Sequence, residues 1–178
     1  MALLKIYLYG SPVLSRKVKA VDVLPQKFNG FLEDMFETMY DDDGIGLSAN
    51  QVGLDMKFFI VDVSHHYKDR GREVYINPEI LESEGESTVE EGCLSIPGVR
   101  EKITRAEKIK LRYENLDREV KEEEFTGLYA RVIQHEVDHL NGRYIVDRIT
   151  PLKRSFVSSK LKKIAAIAKR DGSTELRL

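Results

Sequence analysis

The sequence has a single cysteine, no long apolar run and no clear excess of either charge. One cysteine cannot form an internal disulfide, so Cys93 is a packed small hydrophobe, a reactive thiol or a metal ligand. No run approaches the roughly 18 apolar residues of a membrane span, and the N-terminus lacks the features of a signal peptide. The 28 basic and 30 acidic residues give a net charge of -2, which argues against general binding to nucleic acid or membrane surfaces. We therefore expect a soluble intracellular protein.

The length and patterning predict one domain with an α+β fold. The chain has 178 residues, without a repeat or a linker-like stretch. Helical spacing predicts helices over residues 25–42, 127–141 and 152–170, the last with Phe156, Leu161 and Ile164 on its apolar face. Runs of β-branched and aromatic residues predict strands over residues 57–63, 73–80, 98–103, 108–113 and 119–125. We expect mostly antiparallel sheets around the central helix 127–141. Residues 1–150 would form the main unit, and residues 151–178 a C-terminal helix and tail.

The central helix carries the pattern HExxH at residues 135–139. His135 and His139 lie about 40° apart around a helix and can bind one metal ion, while Glu136 can reach a metal-bound water. This geometry is typical of metal-assisted hydrolysis. The alternative is a chance occurrence of the pattern on a solvated helix face. The apolar Leu128 and Val132 beside the histidines argue against a solvated face.

A metal held by this pattern needs a third protein ligand. The position six residues after His139, where one metalloprotease group has a further histidine, is Ile145. A later acidic ligand would have to come from Asp147 or from the C-terminal end of the chain. Cys93 is the remaining candidate, in a segment where Gly92 permits close backbone approach. An inert buried thiol is the alternative for Cys93.

A third segment, residues 44–51, is rich in glycine and small residues. It lacks the third glycine of a dinucleotide fingerprint and the lysine of a phosphate loop. Gln51 could donate an amide N–H to developing negative charge. Taken alone, however, the segment reads as an ordinary turn between a helix and a strand.

Together these three segments resemble the signature of the peptide deformylase family, in its Gram-negative and organellar class. Deformylases remove the N-terminal formyl group from nascent polypeptides. The matching residues are 44–51, Glu91-Gly92-Cys93-Leu94-Ser95 and 134–142, and the likeness extends from about residue 11 to residue 153. The resemblance implies a metal bound by Cys93, His135 and His139, attack by metal-bound hydroxide with Glu136 as general acid and base, and an oxyanion hole formed by Gln51 and the N–H of Leu94.

The resemblance also implies a substrate site, a cofactor, partners and a location. Ile45, Gly46 and Gly92 would line the site along the substrate backbone, while Val89, Leu128, Val132 and the stem of Arg131 would border the methionine pocket. The cofactor would be one divalent ion, Fe(II), with Zn(II), Ni(II) and Co(II) as alternatives. The partners would be N-formylmethionyl peptides, and the ribosome near its exit tunnel, bound through the basic C-terminal helix. No membrane and no sequence-specific nucleic acid is expected, and the location would be the bacterial cytoplasm.

Two positions depart from the family pattern. Ser48 occupies a position that is usually alanine, and Arg131 one where an aliphatic residue is common. Asp138 and Arg105 are candidates for hydrogen bonds that hold the metal ligands, with a surface ion pair as the alternative. The basic helix could equally be a solvated face.

Two other functions share some of these features. A zinc-dependent peptidase would also carry HExxH, but the downstream ligand is missing. A non-catalytic metal protein would need neither Glu136 nor Gln51.

Overall fold

A computed structural model describes residues 2–171, so residues 172–178 of the expected C-terminal tail lie outside it. These described residues form three α-helices and seven β-strands. The helices are α1 (Phe28–Asp41), α2 (Gly127–Leu140) and α3 (Pro151–Arg170). The strands are β1 (Gly46–Ser48), β2 (Phe58–Asp62), β3 (Arg72–Glu84), β4 (Ser87–Gly92), β5 (Arg100–Arg105), β6 (Lys108–Glu114) and β7 (Val120–Thr126). In the described part of the chain, no helix is long and apolar enough to cross a membrane.

The strands form two sheets, and every pair of neighbours is antiparallel. Five strands lie in the order β1-β2-β3-β6-β7, and β4 pairs with β5 in a separate hairpin. The prediction of an α+β fold with mostly antiparallel sheets is therefore confirmed. The three helices were also predicted, with ends within three residues of those observed.

Two strands were not predicted. Strand β1 has only three residues, too few for a periodic pattern. Strand β4 contains two glutamates and ends in glycine, residue types that are depleted in strands. Both strands form because each pairs with a neighbouring strand. Gly46 of β1 lies opposite Val61 of β2, and Gly92 of β4 lies opposite Arg100 of β5.

The two faces of β2 explain how the large sheet lies between two helices. Phe59 and Val61 pack in a cluster with Ile133 of α2. The alternate residues Phe58 and Ile60 pack in the cluster that contains most of the buried face of α1. Because successive strand residues point to opposite faces, one strand that is buried on both faces packs toward both helices. Helix α2 is thereby central, as its two apolar sides predict.

Helix α3 packs through its second half. Leu161 and Ile164 join a third cluster with Ile96 and Ile103, which connects the helix to the β4–β5 hairpin. The expectation that Phe156 lies on this apolar face was wrong, because Phe156 is 78% exposed. The buried stripe runs through Leu161, Ile164 and Ala168, and Val157 continues it one turn earlier. Phe156 is one residue, or about 100°, away from that stripe.

Candidate metal centre

Helix α2 presents its two histidines side by side. The Nε2 atoms of His135 and His139 are 3.2 Å apart, as expected for residues one turn apart on a helix. The helix begins after Thr126 and ends at Leu140, followed by Gly142 with φ of 73°. A β-carbon on Gly142 would lie 2.8 Å from the backbone nitrogen of Arg16, so both backbone conformation and space favour glycine there.

Cys93 directly follows strand β4 and meets both histidines. Its Sγ lies 3.1 Å from His139 Nε2, and the ligand atoms of Cys93, His135 and His139 all lie within 4.8 Å of one another. Among residues 2–171, these three side chains form the one such group of histidine, cysteine or acidic residues. One thiolate and two imidazoles suit a divalent ion with tetrahedral sulfur and nitrogen coordination. The residues therefore fit a metal.

The local charges favour a thiolate at Cys93. Burial by itself would raise the pKa of the thiol, but the charge of His139 and hydrogen bonds from both histidines lower it to about 5. Burial would also lower the pKa of His135, yet hydrogen bonds with Cys93 and Glu91 raise it to about 10. A thiolate is the form of cysteine that binds metals.

A buried network of ion pairs and hydrogen bonds contacts His135 at its Nδ1 atom. Glu91 Oε2 lies 3.0 Å from His135 Nδ1, and Glu91 also accepts two hydrogen bonds from Arg105, of 2.6 and 3.0 Å. Arg105 donates a further bond of 2.8 Å to Asp138, which also pairs with Arg148. Burial would raise the pKa of Glu91, but the bonds from His135 and Arg105 hold it well below its usual value.

This network decides between the two roles considered for Arg105 and Asp138, and it also includes Glu91. Arg105 and Asp138 are buried, so the surface ion pair considered above is wrong. The contact with His135, a candidate metal ligand, comes from Glu91, for which the sequence analysis proposed no such role. Glu91 lies two residues before Cys93, and side chains two residues apart in a strand point to the same face. This spacing was the feature of the sequence that could have indicated the contact.

Glu136 is buried beside the two histidines. Its Oε2 has no hydrogen-bond partner among the described residues. A β-carbon on Gly46 would lie only 2.6 Å from Glu136 Oε1, so the absence of a side chain at position 46 makes room for this carboxylate. Burial raises the pKa of Glu136. A carboxyl group of this kind is suited to accept and return a proton near neutral pH.

Gln51 reaches the centre from the glycine-rich segment. This segment forms β1 and a 3-10 helix, Ala49–Val52, rather than a simple turn. The backbone N–H and the hydroxyl of Ser48 both donate to Gln51 Oε1, at 3.0 and 2.9 Å. Since a backbone N–H can only donate, the Gln51 amide group must turn its NH₂ the other way, where it lies 3.2 Å from Ser95 Oγ and 3.8 Å from Cys93 Sγ.

The residues expected along the substrate backbone lie at the start of β1 and at the end of β4. Ile45 accepts a hydrogen bond from the N–H of Asp62, and Gly46 begins strand β1. Gly92 ends β4; the nearest atom to a β-carbon there would be a guanidinium nitrogen of Arg100, at 3.0 Å. That flexible side chain could move, so the protein's own packing does not require glycine at position 92. Leu94 is partly buried and packs against the cluster around α1.

The residues expected around a methionine pocket differ in exposure. Val132 is buried and would lie 2.9 Å from a β-carbon on Gly46, and Leu128 is partly buried in the same cluster. Val89 on β4 is 49% exposed. The guanidinium group of Arg131 is bonded to the β4–β5 hairpin, which leaves its aliphatic stem as the only part available to border a pocket.

Comparison with known proteins agrees with this geometry. Residues 3–155 match the sequence profile of the polypeptide deformylase family. Over 167 residues the chain is 46% identical to a peptide deformylase of Thermotoga maritima, covering 93% of this chain and 99% of that protein. A crystal structure of a peptide deformylase from Legionella pneumophila superposes with a TM-score of 0.84 at 37% identity, covering 95% of this chain and 99% of the other. A plant peptide deformylase gives a TM-score of 0.88 at 30% identity, with 99% and 98% covered. The chain therefore belongs to the polypeptide deformylase family.

Proposed function

We propose that this chain hydrolyses the formyl group of N-formylmethionyl nascent peptides at the centre formed by Cys93, His135 and His139, releasing formate. Membership of the deformylase family supports the reaction. The observation that carries the assignment of the site is the convergence of one sulfur and two imidazole nitrogens beside the unpartnered carboxylate oxygen of Glu136.

Cys93, His135 and His139 would hold one divalent ion. When bound, such an ion lowers the pKa of water and polarises a carbonyl group. The thiolate and imidazole donors suit Fe(II), Zn(II), Ni(II) and Co(II). Of these we propose Fe(II), in line with the family resemblance. Metal analysis of protein purified without oxygen tests this choice, and a preparation that contains zinc and no iron would contradict it.

Glu136 would move the proton that the reaction requires. Hydrolysis adds water to the formyl carbon and breaks the bond from that carbon to the methionine nitrogen. Glu136 accepts a proton from the attacking water and returns it to the departing amine, so the carboxyl group ends in its starting state. Its burial and raised pKa support both steps.

Gln51 and the N–H of Leu94 would stabilise the oxyanion that forms during attack. The Gln51 NH₂ group faces Cys93 because Ser48 holds the amide oxygen on the other side. A preorganised donor of this kind contributes about 3 kcal/mol to transition-state stabilisation.

The substrate backbone would lie as an added strand between the start of β1 and the end of β4. Ile45 and Gly46 belong to the β1 side and Gly92 to the end of β4, and all three can offer backbone groups. The glycine at position 92, which the protein's own packing does not require, is consistent with space kept for a substrate. The methionine side chain would contact Val89, Leu128, Val132 and the stem of Arg131.

The activity is tested with protein loaded anaerobically with Fe(II) or Ni(II). We expect formate release from formyl-Met-Ala-Ser and no cleavage of unformylated Met-Ala-Ser, which separates a deformylase from a peptidase. Glu136→Ala should remove formate release while metal content is retained. Absence of formate release in both metal forms would overturn the function, and an active Glu136→Ala variant would overturn the role of Glu136.

We also propose that α3 docks on the ribosome. Helix α3 contains seven basic residues and no acidic residue, although the whole chain is nearly neutral. Truncation would expose the buried Leu161 and Ile164, so exposed lysines are the better target. Changing Lys162, Lys163 and Lys169 to glutamate should reduce co-sedimentation with ribosomes. The same change at the exposed Lys17, Lys27 and Lys68 should not, and equal binding by both triple variants would contradict docking through α3.

For organisation and location, we propose a catalytic unit of residues 1–150, with residues 151–178 packed on or extending from it, in the bacterial cytoplasm. The packing of Leu161 and Ile164 against the cluster that includes Ile96 and Ile103 supports the first point. The bacterial origin of the relative from Thermotoga maritima supports the second. Cell fractionation of the native host tests the location.

A further inference from the structure

The β4–β5 hairpin carries the proposed metal ligand Cys93. The hairpin is part of neither α2 nor the five-stranded sheet. Cys93 follows its first strand, whereas His135 and His139 belong to α2. The hairpin forms its own two-stranded sheet, separate from the five-stranded one. The position of the hairpin relative to α2 therefore sets the distance between the thiolate and the imidazoles.

Arg131 of α2 bonds to the hairpin at three points. Its Nη1 lies 2.7 Å from Glu91 Oε1 and 2.9 Å from the carbonyl oxygen of Ile103. Its Nη2 lies 2.7 Å from the carbonyl oxygen and 2.9 Å from the hydroxyl of Ser87. These contacts reach the first residue of β4, the residue before its end, and the opposite strand β5. The side chain is 7% exposed, so water competes little for these bonds.

We infer that Arg131 is a positioning residue that holds the β4–β5 hairpin on α2 and so fixes Cys93 relative to His135. It does so by four hydrogen bonds, of which the one to Glu91 is also an ion pair, and Glu91 is in turn the partner of His135 Nδ1. The inference rests on the proposed function for the purpose of the centre. The attachment is argued from the contacts of Arg131, beside which Arg105–Asp138 and Glu91–His135 also join the hairpin to α2.

The chemistry of arginine explains why this residue type suits the position. The planar guanidinium group donates from two terminal nitrogens in fixed directions, so it can bond to Glu91, Ile103 and Ser87 at once. An aliphatic residue, common here in the family, could pack but could not bond to a carboxylate. Lysine would keep the charge but would donate from a single nitrogen.

Hydrogen exchange without substrate tests the attachment directly. Arg131→Met keeps an unbranched stem and removes all four bonds, and Arg131→Lys keeps the charge and a single donor nitrogen. We expect amide exchange in residues 87–105 to accelerate roughly tenfold or more in Arg131→Met, because bonds to charged groups are among the stronger ones. Exchange in α1 should change much less. Arg143→Met, at an exposed arginine beyond the end of α2, is the matched control and should behave as wild type.

Metal retention is the second readout. Zinc-loaded Arg131→Met should transfer its ion to a chromogenic chelator about 10- to 100-fold more readily than wild type, the range found when support of a ligand is lost. Arg131→Lys should fall between the two. Unchanged exchange in the hairpin, or acceleration that is equal in α1 and the hairpin, would overturn the inference, as would unchanged metal transfer. If Arg131→Met does not fold, the same criteria apply to Arg131→Lys. Neither readout needs substrate, so a failure of the proposed activity would be seen separately.

Discussion

Glu91 Oε2 lies 3.0 Å from Nδ1 of His135, in a buried site where the same carboxylate also pairs with two arginines. A carboxylate in this position favours a hydrogen on Nδ1, which leaves Nε2 free to bind a metal. The contact links the hairpin that carries Cys93 to the helix that carries the histidines.

Replacement of Glu91 by glutamine should weaken metal binding. The isosteric change removes the charge that both His135 and the buried Arg105 face. We expect metal affinity, measured by competition with a chelator, to fall about 10- to 100-fold. Glu90→Gln is the matched control, since Glu90 is the exposed neighbour and pairs with Arg100 at the surface. Equal affinities of the two variants would be evidence against the role of Glu91.

Gly46→Ala should reduce catalysis more than it reduces stability. The new β-carbon would lie 2.6 Å from Glu136 Oε1, the far end of a side chain that can move, and 2.9 Å from a methyl group of the buried Val132. We therefore expect some loss of stability, but the displacement of Glu136 should lower kcat at least about 10²-fold. Gly30→Ala is the control, because nothing lies within 4 Å of a β-carbon at that helical position. Formate release and thermal unfolding of both variants give the comparison, and full activity of Gly46→Ala would disprove the predicted displacement.

Ser48 should affect catalysis only through Gln51. Its hydroxyl gives the Gln51 amide oxygen a second donor beside the Ser48 backbone N–H. One such hydrogen bond contributes about 1 kcal/mol, so Ser48→Ala should lower kcat by roughly two- to tenfold with little change in KM. Gln51→Ala should lower kcat about 10²- to 10³-fold.

A double-mutant cycle checks that coupling. In the Gln51→Ala background, Ser48→Ala should have no further effect on kcat. The buried Ser11 provides the control, and Ser11→Ala should have the same effect with and without Gln51. If Ser48→Ala costs the same factor in both backgrounds, its effect is not transmitted by Gln51.

The pH dependence of stability should report on Asp62, which lies on β2 and is distant in sequence from the candidate metal ligands. Burial would raise the pKa of Asp62, but hydrogen bonds from Tyr40 and Ser64 lower it below the ordinary value of 3.8. A carboxyl group with a lowered native pKa stabilises the fold above its unfolded pKa, and this stabilisation is lost as pH falls through the native pKa. Asp62→Asn should therefore be destabilising at pH ~6 and less so at pH ~2.5. The difference should stay below about 1 kcal/mol, since the Asp62 carboxylate is partly exposed.

Urea denaturation of metal-free protein at the two pH values measures this difference. Asp117→Asn serves as the control, because Asp117 is an exposed loop residue. A destabilisation by Asp62→Asn that does not change with pH would contradict the expected contribution of the hydrogen-bonded Asp62 carboxylate.

The sequence predicted well those features that depend on neighbours along the chain. The spacing of His135 and His139 places them together on any helix, and Gly142 predicts where that helix stops. Cys93 could be chosen as third ligand only because Ile145 and the later acidic residues were unsuitable, and the structure brings its sulfur to the histidines. The roles of these residues in catalysis stay predictions.

Contacts between segments that are distant in the chain could not be predicted from the sequence. The register of β4 on β5 and the approach of α2 decide that Glu91, rather than Asp138, contacts His135, and that Arg131 bonds to the hairpin. The packing of α3 likewise leaves Phe156 exposed, because it buries a stripe one residue away.

The sequence by itself thus determined the HExxH helix, the α+β class and the candidate ligands, since helical spacing and residue chemistry are local properties. Only the tertiary structure decided which side chains hold those ligands. A buried carboxylate or guanidinium group bonds to whatever partner the packing brings within about 3 Å, and that partner can lie 40 or more residues away in the chain, as Glu91 does from Arg131 and His135.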